Sequence, residues 1–140
     1  MNKLTRGILI DAVNRQVREV NFINFEDMKR QMNVEWVTVG ADLKTNHKIR
    51  QTVWVDDEGL LNNPDHFFVI DGGYQPYAGN GMIAGTSSHG NTVDCRMTVE
   101  EVEKMVHYMT LADVQECIRR GIVDYYGHYL FPFVISLRLI

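Results

Sequence analysis

The chain predicts one α+β domain, with a mixed or mainly antiparallel sheet of about five to seven strands. Two observations lead there. Over most of residues 4–97, apolar positions recur in short runs, many of them alternating with polar ones, which is the period of half-buried strands. From Thr98 onward the period lengthens to that of amphipathic helices. A length of 140 residues is enough for a single apolar core without staples. Residues 1–97 form the α+β core in this reading, and 98–140 add a helical hairpin and a closing strand to the same domain.

Residues 4–11 and 16–22 are rich in Ile, Leu and Val around the turn-forming Asp11-Ala-Val-Asn-Arg, and read as an N-terminal hairpin. Asn24, followed by Asp27, caps a short helix over residues 25–32, with Phe25, Met28 and Met32 on one stripe. Residues 34–39 and 49–55 read as strands joined by the polar segment 41–48. Asn62-Asn63-Pro64 breaks the chain, and residues 66–70 are a short apolar strand. Residues 81–86 and 91–96 flank a loop, Thr86 to Asn91, whose Gly and Asn supply positive φ.

Thr98 with Glu101 makes a capping box, ahead of a stripe of Val99, Val102, Met105, Val106 and Met109. Thr110 with Asp113 starts a second helix over 111–120, with Leu111, Val114, Cys117 and Ile118 on one face and Gly121 as its C-cap. In the tail, Phe133, Ile135, Leu137 and Leu139 alternate with Val134, Ser136 and Arg138, the pattern of a closing strand.

Composition removes several classes. With 14 basic residues scattered among 18 acidic ones, the net charge of −4 argues against non-specific nucleic-acid binding. No apolar run approaches the roughly 18 residues of a membrane span. The first residues carry no small-residue cleavage site, so the expected location is the cytoplasm. Cys95 and Cys117 stand too far apart for a CxxC pair or a zinc knuckle, and read as buried thiols.

Catalytic motifs are equally scarce. Gly79-Asn-Gly81-Met-Ile-Ala84 matches the letters of a dinucleotide fingerprint, but it runs into Gly85-Thr-Ser-Ser where the motif needs a helix. Asp56, Asp57 and Glu58 are followed by Leu60 and Leu61 where a calcium loop would continue with oxygen ligands. The five histidines include no His-x-His and no i,i+4 pair, and Ser87-Ser88-His89 has no nucleophile elbow around it. The reading therefore assigns no catalytic residue, metal or cofactor.

A binding constellation is easier to argue. Tyr74 and Tyr77 offer aromatic faces for a base, Asn80 offers an amide, and Gly81 with Thr86, Ser87, His89 and Asn91 offers backbone and side-chain groups for phosphate or carboxylate oxygens.

Gly7-Ile-Leu-Ile-Asp-Ala-Val-Asn-Arg-Gln-Val-Arg-Glu-Val, Val53-Trp-Val-Asp-Asp-Glu-Gly-Leu-Leu, Asn63-Pro64 and Gly79-Asn-Gly-Met-Ile-Ala-Gly-Thr with Val93-Asp94 follow one another over the first two thirds of the chain. In their order and spacing they resemble the phage- and plasmid-associated domain-of-unknown-function family numbered 3846. The resemblance implies a small α+β protein of bacterial viruses and mobile elements, without an assigned activity. The segment from His66 to Tyr77 and everything after Thr98 depart from it.

In that setting the leading expectation is a protein that sequesters a small nucleotide-like host defence signal without chemistry, as a homo-oligomer with a pocket at the subunit boundary. The alternative is an inhibitor that docks on a host defence protein through Asp56, Asp57 and Glu58 or through its apolar C-terminal helices. A phosphodiesterase acting on the same signal ranks third.

Overall fold

The computed structural model describes residues 3–62 and 64–122, and shows the α+β fold. Among the described residues, nine strands and three α-helices follow in the order β1 (Thr5–Asp11), β2 (Gln16–Phe22), α1 (Phe25–Met32), β3 (Val37–Leu43), β4 (Arg50–Asp56), β5 (His66–Ile70), β6 (Tyr77–Ala78), β7 (Gly81–Thr86), β8 (Thr92–Val93), α2 (Val99–Met105), β9 (Val106–Thr110) and α3 (Leu111–Arg119). A 3-10 turn, Gly59–Leu61, follows β4. The larger sheet runs β2-β1-β7-β4-β3, with β8 also paired to β7; the smaller one runs β6-β5-β9. Every pairing is antiparallel.

These sheets stack into four layers because their strands alternate. On β1, Ile8 and Ile10 face the smaller sheet while Leu9 faces α1. On β5, Phe68 and Ile70 point back at Ile83, Val53 and Val55, whereas Phe67 and Val69 pack on Val114 and Cys117 of α3. The order is thus α1, larger sheet, smaller sheet, α3. The central strands β1 and β7 are covered on both faces, so they read as continuous apolar runs rather than alternating ones.

Local chemistry explains the helix starts. Asn24 accepts from the Asp27 N–H at 2.9 Å, and an αL residue, Asn33, closes α1. Both predicted capping boxes, Thr98 with Glu101 and Thr110 with Asp113, are formed.

Between those boxes the structure departs from the expected helical hairpin. α2 ends at Met105, and Val106–Thr110 is a strand paired with all five residues of β5. Extension sends Val106 into the core between the sheets and Met109 into the layer under α3, two places one helical stripe could not reach together. Cross-strand burial against β5 overrides the local helical period. Other boundaries shift for similar reasons. β3 begins at Val37 and continues to Leu43, through a bulge between Val39 and Ala41, so Ala41 to Leu43 lie in the sheet rather than in the connection. The strand expected over 91–96 shortens to Thr92–Val93. The closing strand expected over 133–139 lies outside the described residues.

Two polar hubs fasten the segment between β8 and α2. Arg6 donates through Nη1 to the Cys95 and Met97 carbonyls at 2.7 and 2.8 Å and pairs with Glu19 at 2.7 Å. Gln51, fully buried, accepts the Arg96 N–H at 2.9 Å through Oε1 and donates to the Ile49 carbonyl through Nε2.

The hairpin carries a pH dependence. Asp11 is almost wholly buried, which by itself raises its carboxyl pKa, but hydrogen bonds from the Asn14 side chain and backbone, together with Arg18, outweigh that and leave it below the ordinary 3.8. A carboxylate depressed in the folded state contributes stability above pH 3.8 and loses it as pH falls through the lower folded value. Acid unfolding of Asp11→Asn, followed by circular dichroism, should therefore show a shallower loss of stability below pH 3.8 than the parent. Identical acid slopes would show that Asp11 contributes nothing.

Candidate functional site

β7 separates the residues of the predicted constellation. Gly81 pairs with Val55 at one end of β4 and Thr86 with Arg50 at the other. Five residue steps at about 3.4 Å put these ends about 17 Å apart. Tyr77, Asn80 and Gly81 gather at the first end, and Thr86, Ser87, His89 and Asn91 at the second.

At the first end the groups already have structural partners. Tyr77 is 4% exposed, with its ring 5.4 Å from that of Phe68. Its hydroxyl donates to the Gly40 carbonyl at 2.9 Å and accepts the Tyr74 N–H. Burial pushes this phenol pKa up, so it stays neutral and holds the β3 bulge. Asn80 accepts the Ala12 N–H at 2.8 Å and donates to the Met32 carbonyl, joining β1 to the end of α1. A Cβ on Gly81 would stand 2.5 Å from Phe68 Cζ, so this glycine makes room for a ring of the core. Tyr74 alone is well exposed. Tyr77 is thus a core residue, with no ring face to offer a base.

At the second end, Ser87 to Asn91 close on themselves. Ser87 N–H donates to the Asn91 carbonyl, the Gly90 N–H to the Ser87 carbonyl, and the Asn91 N–H to Ser87 Oγ. Gly90 takes φ +84°, a conformation that favours glycine, and His89 is exposed at the tip. Beside this turn, α1 leaves part of the larger sheet uncovered, and a groove of about 630 Å³ opens over it. Arg50, Thr52 and Trp54 project from β4 into its floor, with Thr86 from β7, Asp42 from β3, and Phe25 as a wall. Phe25 and Trp54 meet edge to face with centroids 5.0 Å apart. Thr52 Oγ1 lies 2.9 Å from Asp42 Oδ1 and 2.7 Å from Thr86 Oγ1, and Arg50 Nη1 lies 3.9 Å from Asp42 Oδ2. The buried Trp54 indole N–H has no acceptor among the described residues.

Of the predicted binding residues, Thr86 and Asn91 line this groove. Phe25, Asp42, Arg50, Thr52 and Trp54 were not anticipated as site residues. The alternation Arg50-x-Thr52-x-Trp54 was the available signal: polar and aromatic groups on one face of an internal strand indicate a face with no apolar cover.

The acidic trio lies elsewhere. Asp56 accepts the Glu58 N–H at 2.9 Å, and the Asp57 N–H donates to the Trp36 carbonyl, a turn leading into Gly59–Leu61. It borders a second cleft of about 410 Å³, between the outer edge of β3 and the exposed Leu60 and Leu61.

Among the described residues, no three His, Cys, Asp or Glu side chains converge as a metal site, and no helix is long and apolar enough to cross a membrane. Cys95 and Cys117 are unpaired and buried, and burial pushes both thiols up. Compared with family models, curated proteins and solved structures, the chain matches none. The likeness to family 3846 therefore rests on the motifs quoted above.

Proposed function

We propose that the chain binds and holds a small nucleotide-like ligand, without transforming it, in the groove beside the Thr86–Asn91 turn. One observation carries this reading: an aromatic pair and a part-buried hydroxyl chain share one open floor of about 630 Å³, within the size range of small-ligand sites. Phe25 and Trp54 supply ring surface for a base, and Arg50 is a cation at one end. Such groups orient a ligand. In the setting that the resemblance implies, holding a host defence signal is enough to silence it.

The test is mass spectrometry of small molecules released by heating the protein after incubation with host-cell extract, beside a Phe25→Ala variant. Phe25 is 42% exposed, so its removal leaves the core intact. The expected result is an intact nucleoside or nucleotide released by the parent and reduced roughly tenfold or more in the variant, the scale of one lost aromatic stacking contact. Release of nothing overturns the reading. Consumption of a nucleotide at substoichiometric protein overturns it in favour of a phosphodiesterase.

A second reading, docking on a host defence protein, is favoured by the other cleft. There Asp56 to Glu58 stand beside Leu60 and Leu61, 57% and 77% exposed, along an edge of β3 that pairs with no strand among the described residues. A host protein retained from the same extract and released by salt is the outcome that moves this reading to first place. A homo-oligomer is proposed at the same edge, by pairing with a second copy.

A further inference from the structure

The hydrogen-bond polarity of the groove floor narrows the class of ligand. Thr52 has one hydroxyl proton and two neighbours, Asp42 Oδ1 at 2.9 Å and Thr86 Oγ1 at 2.7 Å. A carboxylate only accepts, so the Thr52 proton goes to Asp42. The Thr86 proton must then make the second bond, to Thr52. With that proton spent, Thr86 has only lone pairs left to offer. The other carboxylate oxygen, Asp42 Oδ2, stands 3.9 Å from Arg50 Nη1, beyond hydrogen-bond reach, and also keeps its lone pairs. Asp42 and Arg50 are each about half exposed, at 47% and 54% of the side chain, so a bound molecule meets both. The centre of the floor is therefore a row of acceptors bearing one negative charge.

From this we infer that the groove selects a ring-bearing ligand that presents N–H or O–H donors and carries no phosphate: an uncharged nucleoside, or a base with an exocyclic amine, over its phosphorylated forms. An amine or a ribose diol satisfies Asp42 and Thr86, while the ring lies against Phe25 and Trp54. Phosphate oxygens bring acceptors to acceptors and negative charge to Asp42. The guanidinium in the lining, Arg50, stands 3.9 Å from that carboxylate, which offsets its charge without engaging its N–H groups. The inference rests on the ligand-binding reading above, and goes further by naming which member of a nucleotide series the groove prefers.

Isothermal titration of the full chain with the four ribonucleosides and their 5′-monophosphates, at matched ionic strength, tests it. The expected result is at least one nucleoside bound about tenfold more tightly than its monophosphate, a difference well resolved by titration. Asp42→Asn removes the charge and adds an N–H donor while keeping an oxygen to accept from Thr52, and should abolish or reverse that preference. Thr86→Val removes an acceptor without altering charge, and should weaken the nucleoside while leaving the monophosphate penalty in place. Melting curves of both variants confirm that the sheet is intact. Monophosphates bound as tightly as nucleosides, or a preference unchanged in Asp42→Asn, overturn the inference and leave the ligand-binding reading standing. Silence across the whole panel overturns both.

Discussion

Phe68→Ala should lower the free energy of unfolding by about 3–5 kcal/mol, the range for removing a fully buried aromatic ring. Phe68 is 0% exposed on the middle strand of the smaller sheet, and its ring fills the space that Gly81 leaves by lacking a Cβ. It also lies against Tyr77, so the cavity would open where the two sheets meet. Neither neighbour can close it, because Tyr77 is tied to Gly40 by its hydroxyl and Gly81 is held in β7 between β1 and β4. Against a typical domain stability of about 5–15 kcal/mol, a loss of this size removes a large part of the whole. Urea unfolding should show a lower midpoint at unchanged slope. A loss under about 1 kcal/mol would place the ring outside the essential core.

Gly85→Ala should cost about 3 kcal/mol, at the upper end for overpacking, through collision rather than cavity. A Cβ there would stand 2.5 Å from the Asp94 carbonyl oxygen and 2.8 Å from Ile49 Cγ2. The obstacle at 2.5 Å is backbone, which has no rotamer to change. Asp94 is itself fixed, since its carboxylate accepts the Arg6 N–H at 2.8 Å and the next residue, Cys95, donates to the Arg6 carbonyl at 2.8 Å. Relief therefore requires peeling the segment after β8 away from β7. A melting temperature within a degree or two of the parent would show that this segment yields freely.

Much of the fold was legible because local chemistry and tertiary packing agree. Asn24, Thr98 and Thr110 mark helix starts by satisfying orphan N–H groups, and these signals need nothing from the rest of the chain. The N-terminal hairpin and β5 were legible from composition and turn residues. Val106 to Thr110 were not, because Val99, Val102, Met105, Val106 and Met109 satisfy a helical stripe and only pairing with β5 decides against it. The two-residue β6 has too little length for any period to show.

The site was legible in part and for the same reason. Aromatic and glycine content pointed to Tyr74 through Asn91, and the groove does take Thr86 and Asn91 from that stretch. Whether a tyrosine faces water or core depends on the layer beneath it. Tyr77 turned inward because a second sheet lies there, which no local pattern announces. Conversely, Trp54 reads as core by type, and it lines the groove together with Phe25 at the start of α1.

The place of β7 in the larger sheet has a consequence for biosynthesis. β1 with β2 and β3 with β4 are local hairpins, available as soon as each is made, but β1 and β4 meet only through β7. Until residue 86 has left the ribosome, two hairpins with apolar inner edges wait side by side, in the window when unpaired edges recruit one another between chains. Closure of the larger sheet thus waits on one six-residue strand, Gly81–Thr86, the last of its long strands to be made.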